Sequence, residues 1–173
     1  MEDAAVGGGS GNAMGPSAAE LADNSGPIED RIVSKNWSVR AGAYDELLAI
    51  CQKDKPKSKA DHYNQHCGQF KLYLKDANPG ALEKALDLLT VFLDKCHPTI
   101  VEQYQNDIIP ILVEKCVGHA KPNIKAKSKE CFLLMFEVSE NFDDSIETIN
   151  NVISHKNIKV LTSGIVALAS LVE

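Results

Sequence analysis

Few side chains in this sequence could do chemistry, and their spacing limits what that chemistry could be. In "HYNQHC" (62–67), His62 and His66 stand four residues apart with Cys67 beside them, a spacing that would put two imidazoles on one helix face to hold a metal. No second Cys or His cluster lies nearby to complete the ligand set, so no metal site is expected. The five cysteines, Cys51, Cys67, Cys96, Cys116 and Cys131, are odd in number, widely spaced and never in a CxxC pair. They read as small core residues of a reducing compartment rather than a disulfide framework. No GxGxxG, GxxxxGK[ST] or GxSxG is present, so phosphate cradles and serine nucleophile elbows lack a candidate. Neither catalysis nor a cofactor is expected. What remains is recognition chemistry. "SKNWSVR" (34–40) sets the only tryptophan, Trp37, among Lys35, Asn36 and Arg40.

These residues need elements to position them. The 173 residues are 44% apolar and 24% charged, the range of an ordinary folded domain. The net charge of −6 is uneven: residues 1–27 carry four acids and no base, leaving 18 basic against 20 acidic residues, a net of −2, in the rest. A near-neutral body offers no broad attraction to nucleic acid or anionic lipid. No basic region followed by an apolar run opens the chain, and runs such as "CFLLMF" are far too short to span a bilayer. Residues 1–27 are Gly, Ala and Ser with almost no large apolar side chain, and read as a flexible leader.

From Ile28 onward the apolar period is helical, with no useful strand-like alternation, so the fold is all-α. Four stripes stand out: Val39, Ala43, Tyr44, Leu47, Leu48 and Cys51; Leu82, Ala85, Leu86, Leu89 and Leu93; Ile124, Cys131, Leu134, Met135 and Val138; Ile158, Leu161, Ile165, Leu168 and Val172. Each helix opens on an asparagine suited to an N-cap, Asn36, Asn78, Asn123 or Asn157, spaced by 42, 45 and 34 residues. Small or β-branched residues follow at the third position (Val39, Ala81, Ala126, Val160), and leucine at the eleventh (Leu47, Leu89, Leu134, Leu168). That is the period of helix-pair repeats of the HEAT or armadillo type, and it implies an α-solenoid of about four pairs, roughly 28–52, 62–95, 97–139 and 142–173. A shorter helix precedes each one. In the second, Cys67, Phe70, Leu72 and Leu74 are expected to be buried; the third is expected to bend at Pro110; the fourth starts near Asp143 or Asp144. "QKDKPKSKAD" (52–61) reads as a long solvated connector.

Stacked pairs line up their short turns along one edge, a ridge the core does not need and a partner can read. It would display Lys35, Asn36, Trp37 and Arg40, then Asn78, Pro79 and Gly80, then Lys121, Pro122, Asn123 and Lys125, then Lys156, Asn157 and Lys159. The ridge is basic on a slightly acidic body, which implies an acidic partner surface. An exposed tryptophan beside an arginine has the composition of a binding hot spot. The competing placement folds Trp37 back as a cap on the first helix pair; its position at a capped turn favours the ridge.

The segment "EDRIVSKNWSVRAGAYDELLAIC" resembles the opening of a TOG domain, the tubulin-binding HEAT-repeat module of microtubule polymerases, through Lys35, Trp37, Arg40, Tyr44, Glu46 and Leu47. Residues 105–137 resemble the third repeat of the first such domain in that family. Over residues 28–173 the resemblance implies a non-catalytic module that binds soluble αβ-tubulin in the cytoplasm, at microtubule ends and the spindle. It implies that Trp37 meets β-tubulin, with Asn78, Pro79, Lys121 and Lys125, and less directly Lys156 and Lys159, as further contacts. TOG domains normally have six repeats, whereas about four are legible here. That leads us to expect apolar surface near Leu168 and Leu171 that could drive self-association. The glycine-bearing second turn is another departure. A CLASP-type TOG protein, or a HEAT scaffold that reads peptides on concave helix faces, is the alternative.

Overall fold

Capped turns set where the long helices begin. The computed structural model describes residues 25–139 and 142–172, and the expected leader lies outside these up to position 24. Helix α1 (Ile28–Arg31) is a single turn. Helix α2 (Trp37–Cys51) starts from Asn36, whose side-chain oxygen accepts from the Ser38 N–H at 3.0 Å. Two short helices, α3 (Asp61–Cys67) and α4 (Phe70–Tyr73), stand where the sequence suggests one. Gly68 lies between them, where a Cβ would come within 2.8 Å of the Tyr104 ring. Helix α5 (Pro79–Lys95) starts from Asn78, which accepts from the N–H groups of Gly80 and Ala81. Helix α6 (Pro98–Ile111) contains Pro110 and passes directly into a π-helical turn, Leu112–Val117. Proline offers no N–H, so the ladder is already interrupted there, and the register relaxes to the wider spacing. Helices α7 (Pro122–Val138), α8 (Phe142–Ile153) and α9 (Ile158–Ala169) complete the chain. Asp143 and Asp144 fall in the first turn of α8, with side chains outside the described residues.

One expected cap is wrong. Helix α7 is preceded by Lys121, with Pro122 at its first position, so Asn123 lies one residue inside it. Proline is favoured at that position because its missing N–H is one the helix start does not need. The proline thus sets the boundary two residues ahead of the asparagine. Counted from Asn36, Asn78, Lys121 and Asn157 the repeats are spaced by 42, 43 and 36 residues. The third position is then Val39, Ala81, Ile124 or Val160, the seventh Ala43, Ala85, Ser128 or Gly164, and the eleventh Leu47, Leu89, Phe132 or Leu168. All are buried or half-buried, whereas Ala126 is exposed.

Helices α2, α5 and α7 lie side by side in one layer, and α3, α4, α6 and α8 form the other. Their shared core runs from Tyr44 through Leu89 to Phe132 without a break. Phe92 meets Tyr63 and Phe70 edge-on, with ring centroids 4.8 and 4.9 Å apart. Each fully buried leucine or phenylalanine of this core contributes about 2 kcal/mol of transfer free energy. In the second pair Cys67, Phe70 and Leu74 are buried as expected, but Leu72 is 55% exposed, and Tyr63, His66 and Tyr73 take the inner face.

Helix α9 follows the expected stripe only in part: Leu161 is half-buried and Leu168 packs against the core. Ile158, Ile165 and Val172 are exposed, Leu168 is half-buried, and the buried face is Ser163, Gly164 and Ala167. Those small residues permit a close approach to α8: a Cβ on Gly164 would sit 2.9 Å from Ile153 Cγ2 and 3.0 Å from Val152 Cγ1. The connector 52–61 is exposed over most of its length but anchored. Its Ser58 donates to the Lys95 carbonyl at 2.8 Å and accepts from the His97 N–H at 2.9 Å.

Candidate protein-binding ridge

The four turns that enter α2, α5, α7 and α9 share a construction that the sequence does not advertise. Two residues before each helix cap, a side chain accepts the cap residue's own N–H. The acceptors are Ser34 Oγ (3.2 Å), Asp76 Oδ1 (2.9 Å), His119 Nδ1 (3.1 Å) and His155 Nδ1 (3.1 Å). Three kinds of side chain thus close the same turn, because each offers an acceptor two or three bonds from its Cα. Asn36, Asn78 and Asn157 then bond the helix start, so their side-chain oxygens are engaged within the turn.

Arg40 is not displayed on the ridge as the sequence suggests. Its Nε and Nη2 donate to the two oxygens of Asp76, each at 2.7 Å, and its Nη1 donates to the carbonyls of Ser34 and Lys35. The guanidinium therefore clamps the first turn to the second. Those bonds from Asp76 hold it above its ordinary range, although burial works against this. Its charge is spent inside the protein and is neutralised by Asp76.

Trp37 is 47% exposed, so it neither folds back onto α1 nor stands free. One side of the indole rests on the second turn. A Cβ on Gly80 would lie 3.2 Å from Trp37 Cζ3, so the glycine lets the ring sit against the second turn and a methyl there would push it by a few tenths of an ångström. Beyond the ring an open groove of about 440 Å³ is lined by Trp37, Gly80, Glu83, Asp87 and Lys127. Lys127 reaches across it to Asp87 at 2.5 Å and Glu83 at 3.1 Å. Burial opposes its charge, but those two carboxylates still carry its pKa upward.

The other expected ridge residues lie at or near the surface. Lys35, Lys121, Asn123, Lys125, Lys156, Asn157 and Lys159 are all exposed, and Pro79 is half-buried beside Trp37's turn. Lys125 and Lys159 share an open groove of about 470 Å³ with Glu114 and Ile158, so the third and fourth turns converge. Two ridge residues escaped the sequence reading. Lys75 is exposed in the second turn, and Ile158, 75% exposed, holds the position in α9 that Trp37 holds in α2. The signal available for Ile158 was its place directly after a cap, where the first helical residue faces the edge.

The other reactive groups do not form a site. His62 Nε2 lies 2.8 Å from Asp54, while His66 Nδ1 lies 2.9 Å from the Tyr73 hydroxyl, so the two imidazoles do not converge. Among the described residues no group of three or more His, Cys, Asp or Glu is placed to hold a metal. All five cysteines are free and buried, and burial pushes the thiols of Cys96, Cys116 and Cys131 up to about 12, which keeps them protonated and unreactive.

Comparison with known proteins agrees with this architecture. The profile of the XMAP215/Dis1/CLASP TOG domain matches residues 23–173. Centrosomal protein 224 of Dictyostelium discoideum is 32% identical over 149 residues, covering 86% of this chain and 7% of that protein. Protein mini spindles of Drosophila melanogaster is 25% identical over 141 residues, covering 82% of this chain and 7% of its own length. Spindle pole body component alp14 of Schizosaccharomyces pombe is 28% identical over 153 residues, covering 85% of this chain and 18% of its own. The chain therefore spans less than a fifth of these relatives. A solved structure concerned with tubulin recruitment and assembly by microtubule polymerases with TOG domain arrays superposes with a TM-score of 0.72 at 24% identity, over 83% of this chain and 30% of that one, and shares the solenoid fold. With its helix pairs, its capped turns and a profile match that spans all of the described residues, the chain belongs to the XMAP215/Dis1/CLASP family of TOG domains.

Proposed function

We propose that this chain binds the αβ-tubulin dimer through the ridge, as a module of a microtubule polymerase or plus-end regulator acting at microtubule ends and the spindle. The observation that carries the reading is Trp37: a large indole, half-exposed, seated on Gly80 at a turn clamped by Arg40 and Asp76. A rigid aromatic with little ordering entropy left to lose is what a binding anchor requires. Lys35, Lys75, Lys121, Lys125, Lys156 and Lys159 extend the surface along one edge and suit an acidic partner. The description of the structural neighbour as recruiting tubulin supports the choice of partner. Asn36, Asn78 and Asn157 shape the turns, and Arg40 holds the first two together, so these four act by positioning.

Gel filtration of the chain with soluble αβ-tubulin tests this. Wild type should co-elute with tubulin, and Trp37→Ala should weaken binding about thirtyfold, the about 2 kcal/mol of a hot-spot residue, with unchanged circular dichroism. Equal binding by the folded mutant would refute the role of Trp37. The same columns read self-association through the exposed Ile165 of α9 and Leu171 and Val172 just beyond it: elution of the free chain should shift with concentration, and an invariant position would rule it out.

A further inference from the structure

The ridge leaves the connector 52–61 unexplained. Lys53, Lys55, Lys57 and Lys59 fall within seven residues, all four are exposed, and none is paired with a carboxylate among the described residues. Of the two acids in the segment, Asp54 is turned to His62, and Asp61 begins α3. The result is a local net of +2 on a chain of −6.

This basic segment is held in place. Ser58 is tied on both sides of its peptide to Lys95 and His97, and Asp54 closes onto α3 through His62. Lys57 has φ 61, the only non-glycine residue with positive φ among the described residues. It follows Pro56, and glycine or asparagine would hold that left-handed position with less strain. A lysine kept there, with its amine free, points to a use for the side chain rather than for the backbone. The surface is also separate from the ridge. It leaves the far end of α2, a helix of 15 residues and hence about 22 Å long.

We propose that residues 52–61 form a second docking surface that takes a short, extended, acidic polypeptide segment. The charge is of the right sign, the backbone is already ordered, and the four lysines span at most about 22 Å of chain. That length suits a few carboxylates. A long nucleic acid would run off the patch onto a body of net negative charge, which disfavours it.

Fluorescence anisotropy of a fluorescein-labelled dodecapeptide of Glu and Gly, titrated with the whole chain at low salt, tests the proposal. A labelled single-stranded oligonucleotide of equal charge serves as comparator. Replacing all four connector lysines with Glu should weaken peptide binding about tenfold or more. A ridge variant with Lys121, Lys125, Lys156 and Lys159 changed to Gln should lose less peptide affinity than a connector variant with its four lysines changed to Gln, a comparison that holds the change in net charge equal. Lys57→Gly should weaken binding about twofold while its melting temperature holds or rises, a pairing that misfolding cannot produce. The proposal is overturned if wild type fails to bind the peptide, if only the ridge variant loses it, if Lys57→Gly binds as wild type does, or if the oligonucleotide binds more tightly.

Discussion

Removing Arg40 would leave Asp76, whose side chain is 2% exposed, as a buried carboxylate without its cation. Arg40→Ala should therefore cost about 3 kcal/mol in urea denaturation, the range found when one partner of a buried pair is deleted. Lys35→Ala, five residues earlier and exposed, should change stability by less than about 0.5 kcal/mol. If the two substitutions cost the same, Arg40 is a surface residue and the clamp does not exist. The contrast separates two basic residues that look alike in "SKNWSVR". One closes a turn against its neighbour; the other is left for a partner. Trp37 depends on that clamp, because its seat on Gly80 belongs to the turn that Asp76 forms.

The helix starts carry the repeat. Asn36, Asn78 and Asn157 each bond an N–H of the helix they open, while Asn123 sits inside α7 behind Pro122. Alanine at each of the first three should cost about 1 kcal/mol, and Asn123→Ala close to nothing. Thermal melts of the four variants would check this, and a cap-sized loss at Asn123 would contradict the assigned start of α7. The same boundary explains why Phe132, not Leu134, fills the place of Leu47 and Leu89. A helix start displaced by two residues turns its buried face by about 200°, so the cap and the stripe must be assigned together.

For the molecule as a whole, acid sensitivity should centre on the second helix pair. Burial lowers the pKa of His66 from 6.5, so the unfolded chain takes up its proton first. Stability from this group is complete above about pH 6.5 and is lost as pH falls from there through the lowered folded value. Melting temperatures measured from pH 7.5 down to 5 should fall more steeply for wild type than for His66→Gln; parallel curves would remove His66 as the cause. His66 bonds Tyr73, which joins α3 to α4 across Gly68, so its protonation loosens one layer of the solenoid rather than a loop. The two layers also separate two surfaces by the length of a helix. The ridge runs along one edge, and the lysines of the connector lie on the other.

Local rules made much of this protein legible from its sequence. A period of 3.6 gave the helices, asparagine before a helix gave three of four starts, and proline with the charge run marked the connector. These depend on residues a few places apart. The break at Gly68 depends partly on what packs beside it, as Tyr104 shows. What only the tertiary structure decided are contacts between residues distant in the chain. Arg40 meets Asp76 36 residues away, Trp37 rests on Gly80, and α9 turns its small residues inward because α8 approaches so closely. No spacing in one chain encodes which of two faces a neighbouring helix will cover. Stacking settles that, and with it which basic side chains stay free to bind.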